Sequence, residues 1–133
     1  MTSTSPDSVA QNRQRTHAQT LQPHHLTPSA RRDLFGGRGE VKVWSLLNPR
    51  ALDPFRAALW CELEPSGVVG RHVQQHYPEI LICVSGEGVV KIGQTAHDFT
   101  PGVCLTLSLG EILQITCGVD APLSYLIIKA EDS

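Results

Sequence analysis

His72, His76 and Glu79 fall within one short stretch, Gly-Arg-His-Val-Gln-Gln-His-Tyr-Pro-Glu, at residues 70–79. Imidazole nitrogens with one carboxylate are a donor set that holds a divalent transition metal and leaves positions open for a substrate. Each donor atom must come within about 2.0–2.2 Å of such an ion. On an extended strand residues 72, 74 and 76 face the same way, yet His72 and His76 would stand about 13 Å apart at ~3.3 Å per residue. A bend is therefore required, and Pro78 supplies a reason for one, because the residue before a proline is pushed out of regular helical geometry. A loop starting near His76 would fold it back toward His72 and Glu79. Gln74 offers an amide oxygen, a weaker ligand than imidazole. A second outcome is equally concrete: Glu79, His72 and Gln74 satisfy one another in a polar network without any ion.

Other reactive residues are dispersed. Cys61, Cys83, Cys104 and Cys117 sit singly in apolar runs with no Cys-x-x-Cys spacing, the pattern of reduced core thiols. His17, His24 and His25 lie in a polar N-terminal segment and read as solvated residues. His97, beside Asp98, reads as a surface or edge residue, and Trp44 and Trp60 as sheet-packing residues. Tyr77 is expected at a cavity mouth, next to the candidate ligands. Neither a nucleophile elbow, a P-loop nor a dinucleotide-binding glycine fingerprint occurs. Phe35-Gly36-Gly37-Arg38-Gly39 is glycine-rich but lacks the lysine of a phosphate loop.

The elements that must position these groups are strands. From Glu40 onward the chain is a series of short runs rich in Val, Ile, Leu and Thr, broken by Gly and Pro every eight to twelve residues or so. Eight such runs are expected, at 41–47, 56–63, 68–76, 80–84, 89–92, 103–109, 111–117 and 123–130. Turn residues such as Ser85-Gly86-Glu87-Gly88 and Pro101-Gly102 separate them, and no segment carries a capped helical period. The fold class is all-β. In Ile80-Leu81-Ile82-Cys83-Val84, residues 81 and 83 share a face with Glu79 while 80, 82 and 84 form a second apolar face. A homodimer partner is the expected cover for that outer face.

Residues 1–33 are rich in Ser, Thr, Gln, Pro and His and are expected to form a mobile polar arm, with residues 34–133 forming one domain. The chain is 133 residues long with a formal charge of −2, and its basic residues are scattered, so neither nucleic acid nor a membrane is an expected partner. With no apolar N-terminal segment and no long apolar run, the protein is expected to be soluble and cytoplasmic.

The segment from Glu64 to Thr95, with Thr100-Pro-Gly-Val-Cys-Leu-Thr-Leu-Ser-Leu-Gly-Glu-Ile-Leu-Gln-Ile115 behind it, resembles the small single-domain cupins over roughly residues 40–130. That resemblance implies a double-stranded β-helix, the cupin jelly-roll barrel. In the family's first motif a Gly precedes His-x-His, and a Glu and a further Gly follow. Here His72 takes the place of the first histidine, and Glu79 and Gly86 keep the closing spacing. Gln74 stands where the second histidine belongs, with His76 two residues on, and Leu113 or Gln114 replaces the histidine of the second motif. The resemblance thus implies a divalent metal (iron, manganese, nickel or zinc) held by His72, His76 and Glu79, with Gln74, Tyr77 and Gln114 touching a small-molecule ligand. A barrel that binds its ligand with or without metal, a metal-dependent isomerase, lyase or dioxygenase, and a metal-free structural homodimer are the functions it leaves open. No catalytic residue is assigned.

Overall fold

A computed structural model describes residues 27–47 and 52–131. Within them the chain forms ten strands and one 3-10 turn: β1 Ser29–Arg32, the turn Leu34–Gly36, β2 Glu40–Ser45, β3 Phe55–Leu63, β4 Val68–Val73, β5 Glu79–Ser85, β6 Gly88–Ile92, β7 Thr95–Phe99, β8 Cys104–Leu107, β9 Ile112–Cys117 and β10 Leu123–Ala130. Every strand pairing is antiparallel. Two sheets result, one in the order β1-β2-β3-β10-β5-β8 and the other in the order β4-β9-β6-β7. Non-sequential neighbours such as β3, β10 and β5 make this a jelly roll rather than a meander. No helix among the described residues is long and apolar enough to cross a membrane.

The expected runs all appear as strands, with shifted ends, and two further strands join them. β7 carries Thr95-Ala96-His97-Asp98-Phe99, of which only Phe99 is buried. β1 is exposed along its whole length and takes its place by backbone pairing to β2. The polar arm expected over residues 1–33 therefore gives way to a strand at Ser29; residues 1–26 lie outside the described residues.

Alternation decides what faces inward. Leu59, Cys61 and Leu63 of β3, Leu123, Tyr125 and Ile127 of β10, and Glu79, Leu81 and Cys83 of β5 share the inner face of the larger sheet. Between β5 and β8 of the larger sheet and β6, β7 and β9 of the smaller one, Leu81, Val90, Phe99, Leu107, Leu113 and Ile115 are buried. Phe99 meets Tyr125 edge to face at 6.1 Å. Toward β1, β2 and β3 the two sheets are not filled by side chains, and a cavity of about 670 Å³ remains.

The cross-strand register lays the inner face out in rows. Ser29, Val43, Cys61, Tyr125 and Cys83 form one row. Ser45, Leu59, Ile127, Leu81 and Leu105 form the next, and Lys129, Glu79 and Leu107 the row beyond it. Lys129 and Glu79 thereby share one end of this wall, while Arg31 lies at the other end in the row of Val41 and Leu63.

Candidate functional site

β4 carries the first group into the cavity by an irregularity. Val69 faces Ile115 and His72 faces Leu113, so two residues of β4, Gly70 and Arg71, stand opposite one of β9, Gln114. This is a β-bulge, and it reverses the alternation so that Val69 and His72 both line the cavity. Gly70 sits in the bulge because nothing larger fits: a β-carbon there would lie 2.1 Å from the carbonyl oxygen of Phe35. Gly37 answers it from the other side, where a β-carbon would lie 1.9 Å from the Val68 oxygen. Reciprocal hydrogen bonds between Arg38 and Val68, at 2.8 and 2.7 Å, lock the 34–39 segment onto β4.

Held in this frame, Phe35 takes a positive φ of 55°, a conformation that costs a non-glycine residue about 1–3 kcal/mol. Its ring lies over the His72 imidazole with centroids 3.9 Å apart and planes 14° from parallel. His72 donates from Nδ1 to the Gly70 carbonyl at 2.9 Å, which leaves Nε2 as the nitrogen with a free lone pair. Burial lowers the His72 pKa, and the nearby Lys129 charge lowers it further, against the opposing pull of the Gly70 contact. The neutral ring is thus the form at pH 7.

Glu79, at the start of β5, is the buried acid of the cavity, only 4% exposed. Gln74 Nε2 donates to its Oε1 at 2.6 Å, and the Lys129 ammonium stands 4.0 Å from Oε2. Burial raises the Glu79 pKa, and Lys129 and Gln74 oppose that shift without cancelling it. Gln74 is itself buried and fixed through its backbone, its N–H donating to Glu111 at 3.0 Å and its carbonyl accepting from Gly110 at 2.8 Å. Deeper in, Cys61 and Tyr125 are register partners and their side chains hydrogen-bond. Burial, aided by the Glu79 charge, pushes the Cys61 thiol up to about 12, and burial likewise raises Tyr125 well above its ordinary value. Both are un-ionised at neutral pH.

The metal set expected from the sequence is not assembled. His72, His76 and Glu79 line one cavity, but no three His, Cys, Asp or Glu side chains among the described residues are grouped to hold an ion. The reasons are local. β4 ends at Val73, so His76 lies in the following loop, where its ring is 6.3 Å from that of Tyr77. The Glu79 oxygens already face an amide donor and a cation, and His72, its Nδ1 bonded to the Gly70 carbonyl, offers Nε2 alone. As placed, Gln74, Glu79 and Lys129 form a polar cluster, and His72 and His76 are not gathered with Glu79 into a three-ligand group. Gln74 and Tyr77 line the cavity as expected, whereas Gln114 does not: it pairs with Lys91 and alternates with Leu113 and Ile115, which are the β9 residues that face inward. Lys129 and Phe35 were missed. Lys129 follows an unbroken apolar run, and its only signal was its place two positions beyond Ile127 on the inward phase of β10.

No protein-family model and no curated protein matches the sequence. Solved structures do match. A predicted oxalate decarboxylase from Thermotoga maritima is 24% identical, covering 86% of this chain and all of its own, with a TM-score of 0.79. A cupin 2 conserved barrel domain protein from Salinispora arenicola is 19% identical over 86% of this chain and 91% of its own, at 0.67. The polyketide cyclase RemF from Streptomyces resistomycificus is 14% identical over 85% of this chain and 79% of its own, at 0.69. These likenesses fix the fold as the cupin jelly-roll barrel.

Proposed function

With a cupin barrel as the frame, we propose that this protein binds a small organic molecule inside the barrel and holds it by direct contact rather than through a divalent ion. The carrying observation is the Gln74-Glu79-Lys129 cluster at one end of a mostly apolar cavity. About 670 Å³ lies within the range of cavities that enclose small ligands. A buried carboxyl group is expensive unless it is satisfied, and its neighbours leave one side of it turned to the cavity. Lys129 has donors to spare beyond its one 4.0 Å contact, and Glu79 accepts when ionised and donates when protonated. The complementary ligand has an apolar body and one polar head that both donates and accepts, such as a hydroxyl, an amide or an enolisable carbonyl.

A thermal-shift screen of such compounds on untagged protein, with and without chelator, tests this reading. Stabilisation should survive the chelator and weaken in Glu79→Gln and Lys129→Met. Stabilisation that appears only with added iron, manganese, nickel or zinc would overturn it, as would about one metal per chain that disappears in a His72→Ala/Glu79→Ala variant.

A catalytic form of the same reading draws on Glu79. A carboxyl whose pKa is raised by burial can give and take a proton nearer neutral pH, and the adjacent ammonium stabilises negative charge on a bound carbonyl oxygen. The names of the solved neighbours span a decarboxylase, a sugar phosphate isomerase and a cyclase, so the fold does not select the reaction. Exchange of a C–H proton for deuterium in a bound carbonyl compound, abolished by Glu79→Gln, is the expected sign of this activity.

A further inference from the structure

Phe35 is hard to account for as a structural residue. It lies in a 3-10 turn with no buried residue, the residue is 54% exposed, and its φ of 55° is one that L side chains rarely adopt. Core packing does not explain it, because an exposed ring gains little from burial. Propensity does not explain it either, since glycine would sit there without strain. What the strained backbone achieves is placement: the ring lines the cavity and lies parallel to His72. Strain that buys no packing and is held by a stiff frame is characteristic of a ligand-contacting position.

The surroundings point the same way. His76 and Tyr77 line the cavity too, so its rim is aromatic on both the 34–37 and the 76–77 sides. The cavity-lining residues include one acid, Glu79, against two permanent cations, Arg31 and Lys129, which argues against a cationic guest for these rings. Resting on the small-molecule reading above, we infer that the ligand carries a planar aromatic ring, recognised by stacking on the Phe35-His72 pair. Phe35 is then the residue that sets specificity for aromatic over saturated ligands, and the Gln74-Glu79-Lys129 cluster receives the polar head.

The test compares 2-naphthol with decahydro-2-naphthol by calorimetry. The two share a skeleton and a hydroxyl, and the saturated compound is the more hydrophobic, so burial alone favours it. Stacking predicts the reverse, with 2-naphthol bound about three- to tenfold more tightly by the wild-type protein. Phe35→Leu should erase that preference, and Phe35→Trp should keep it. Equal or tighter binding of the saturated compound by the wild type overturns the inference and leaves the cavity reading standing. So does a preference that persists in Phe35→Leu. Failure of both compounds to bind overturns the inference together with the reading it rests on. A tetramethylammonium ion bound more tightly than 2-naphthol would overturn it as well.

Discussion

Glu79 and His72 have opposite shifts, and their consequences for stability run in opposite directions. A raised carboxyl pKa means that folding favours the protonated form. The stability contributed by Glu79 is complete below its unfolded pKa and is lost as pH rises through the folded value. For His72 the lowered pKa favours the neutral ring, so its contribution is complete above the unfolded value and is lost as pH falls through the folded one. Glu79→Gln should therefore gain stability relative to wild type as the pH is raised from about 4.5 toward neutrality, read as the difference in melting temperature between the two proteins at each pH. A difference that stays flat over that range would mean that Glu79 ionises normally. At this scale the sequence was partly legible. The spacing of Glu79 and Gly86 and the alternation through Leu81 and Cys83 put the acid inside the barrel, and Gln74 beside it. It could not tell that the donors would satisfy one another, because that depends on where β4 ends and on a lysine fifty positions later that pairs with Glu79 across β5 and β10.

Among the elements, the bulge in β4 is the one on which the site depends. A strict two-residue period assigns Val68, Gly70 and His72 to one face, whereas the structure places Val69 and His72 together. The extra residue is invisible to periodicity; Gly70 was its only trace in the sequence. Gly70→Ala is expected to force the 34–39 segment off β4, because the atom in the way is a backbone oxygen and cannot swing aside. A loss of about 2 kcal/mol or more in denaturant unfolding is expected, at the upper end of what overpacking costs, together with loss of the Phe35 contact to His72. A change under about 0.5 kcal/mol, typical of an indifferent surface site, would show that the two backbones are not held in register. β1 and β7 escaped the sequence reading for a related reason. Short edge strands with mostly exposed side chains carry almost no apolar alternation, and backbone pairing rather than burial defines them.

At the level of the whole molecule, the outer face of the larger sheet is the least polar surface. Register aligns Leu126, Ile82 and Cys104 with Trp60, which is itself already buried, in one outward row and Ala58, Ile128, Ile80 and Thr106 in the next. Ile80 is 37% exposed. The homodimer expected from the sequence would bury this face, and it predicts dimers in sedimentation equilibrium that Ile80→Asp converts to monomers without loss of ligand binding. A wild-type monomer at high concentration would remove that expectation. The jelly-roll order was implied only by the resemblance to the cupins, whereas all-β architecture follows from the run lengths and turn residues of the chain, which is why it could be read early. The cavity could not, since it is the space left where β1, β2 and β4 enclose fewer side chains than β5, β6 and β8 do.

The four cysteines give the barrel a built-in timer. Cys104 is exposed on the outer face, whereas Cys61, Cys83 and Cys117 are buried. An excess of an alkylating reagent should modify one thiol promptly in the native protein and reach the other three only when the sheets part. The slow phase then counts openings of the barrel directly, and any compound that closes on the cavity should lengthen the interval between them.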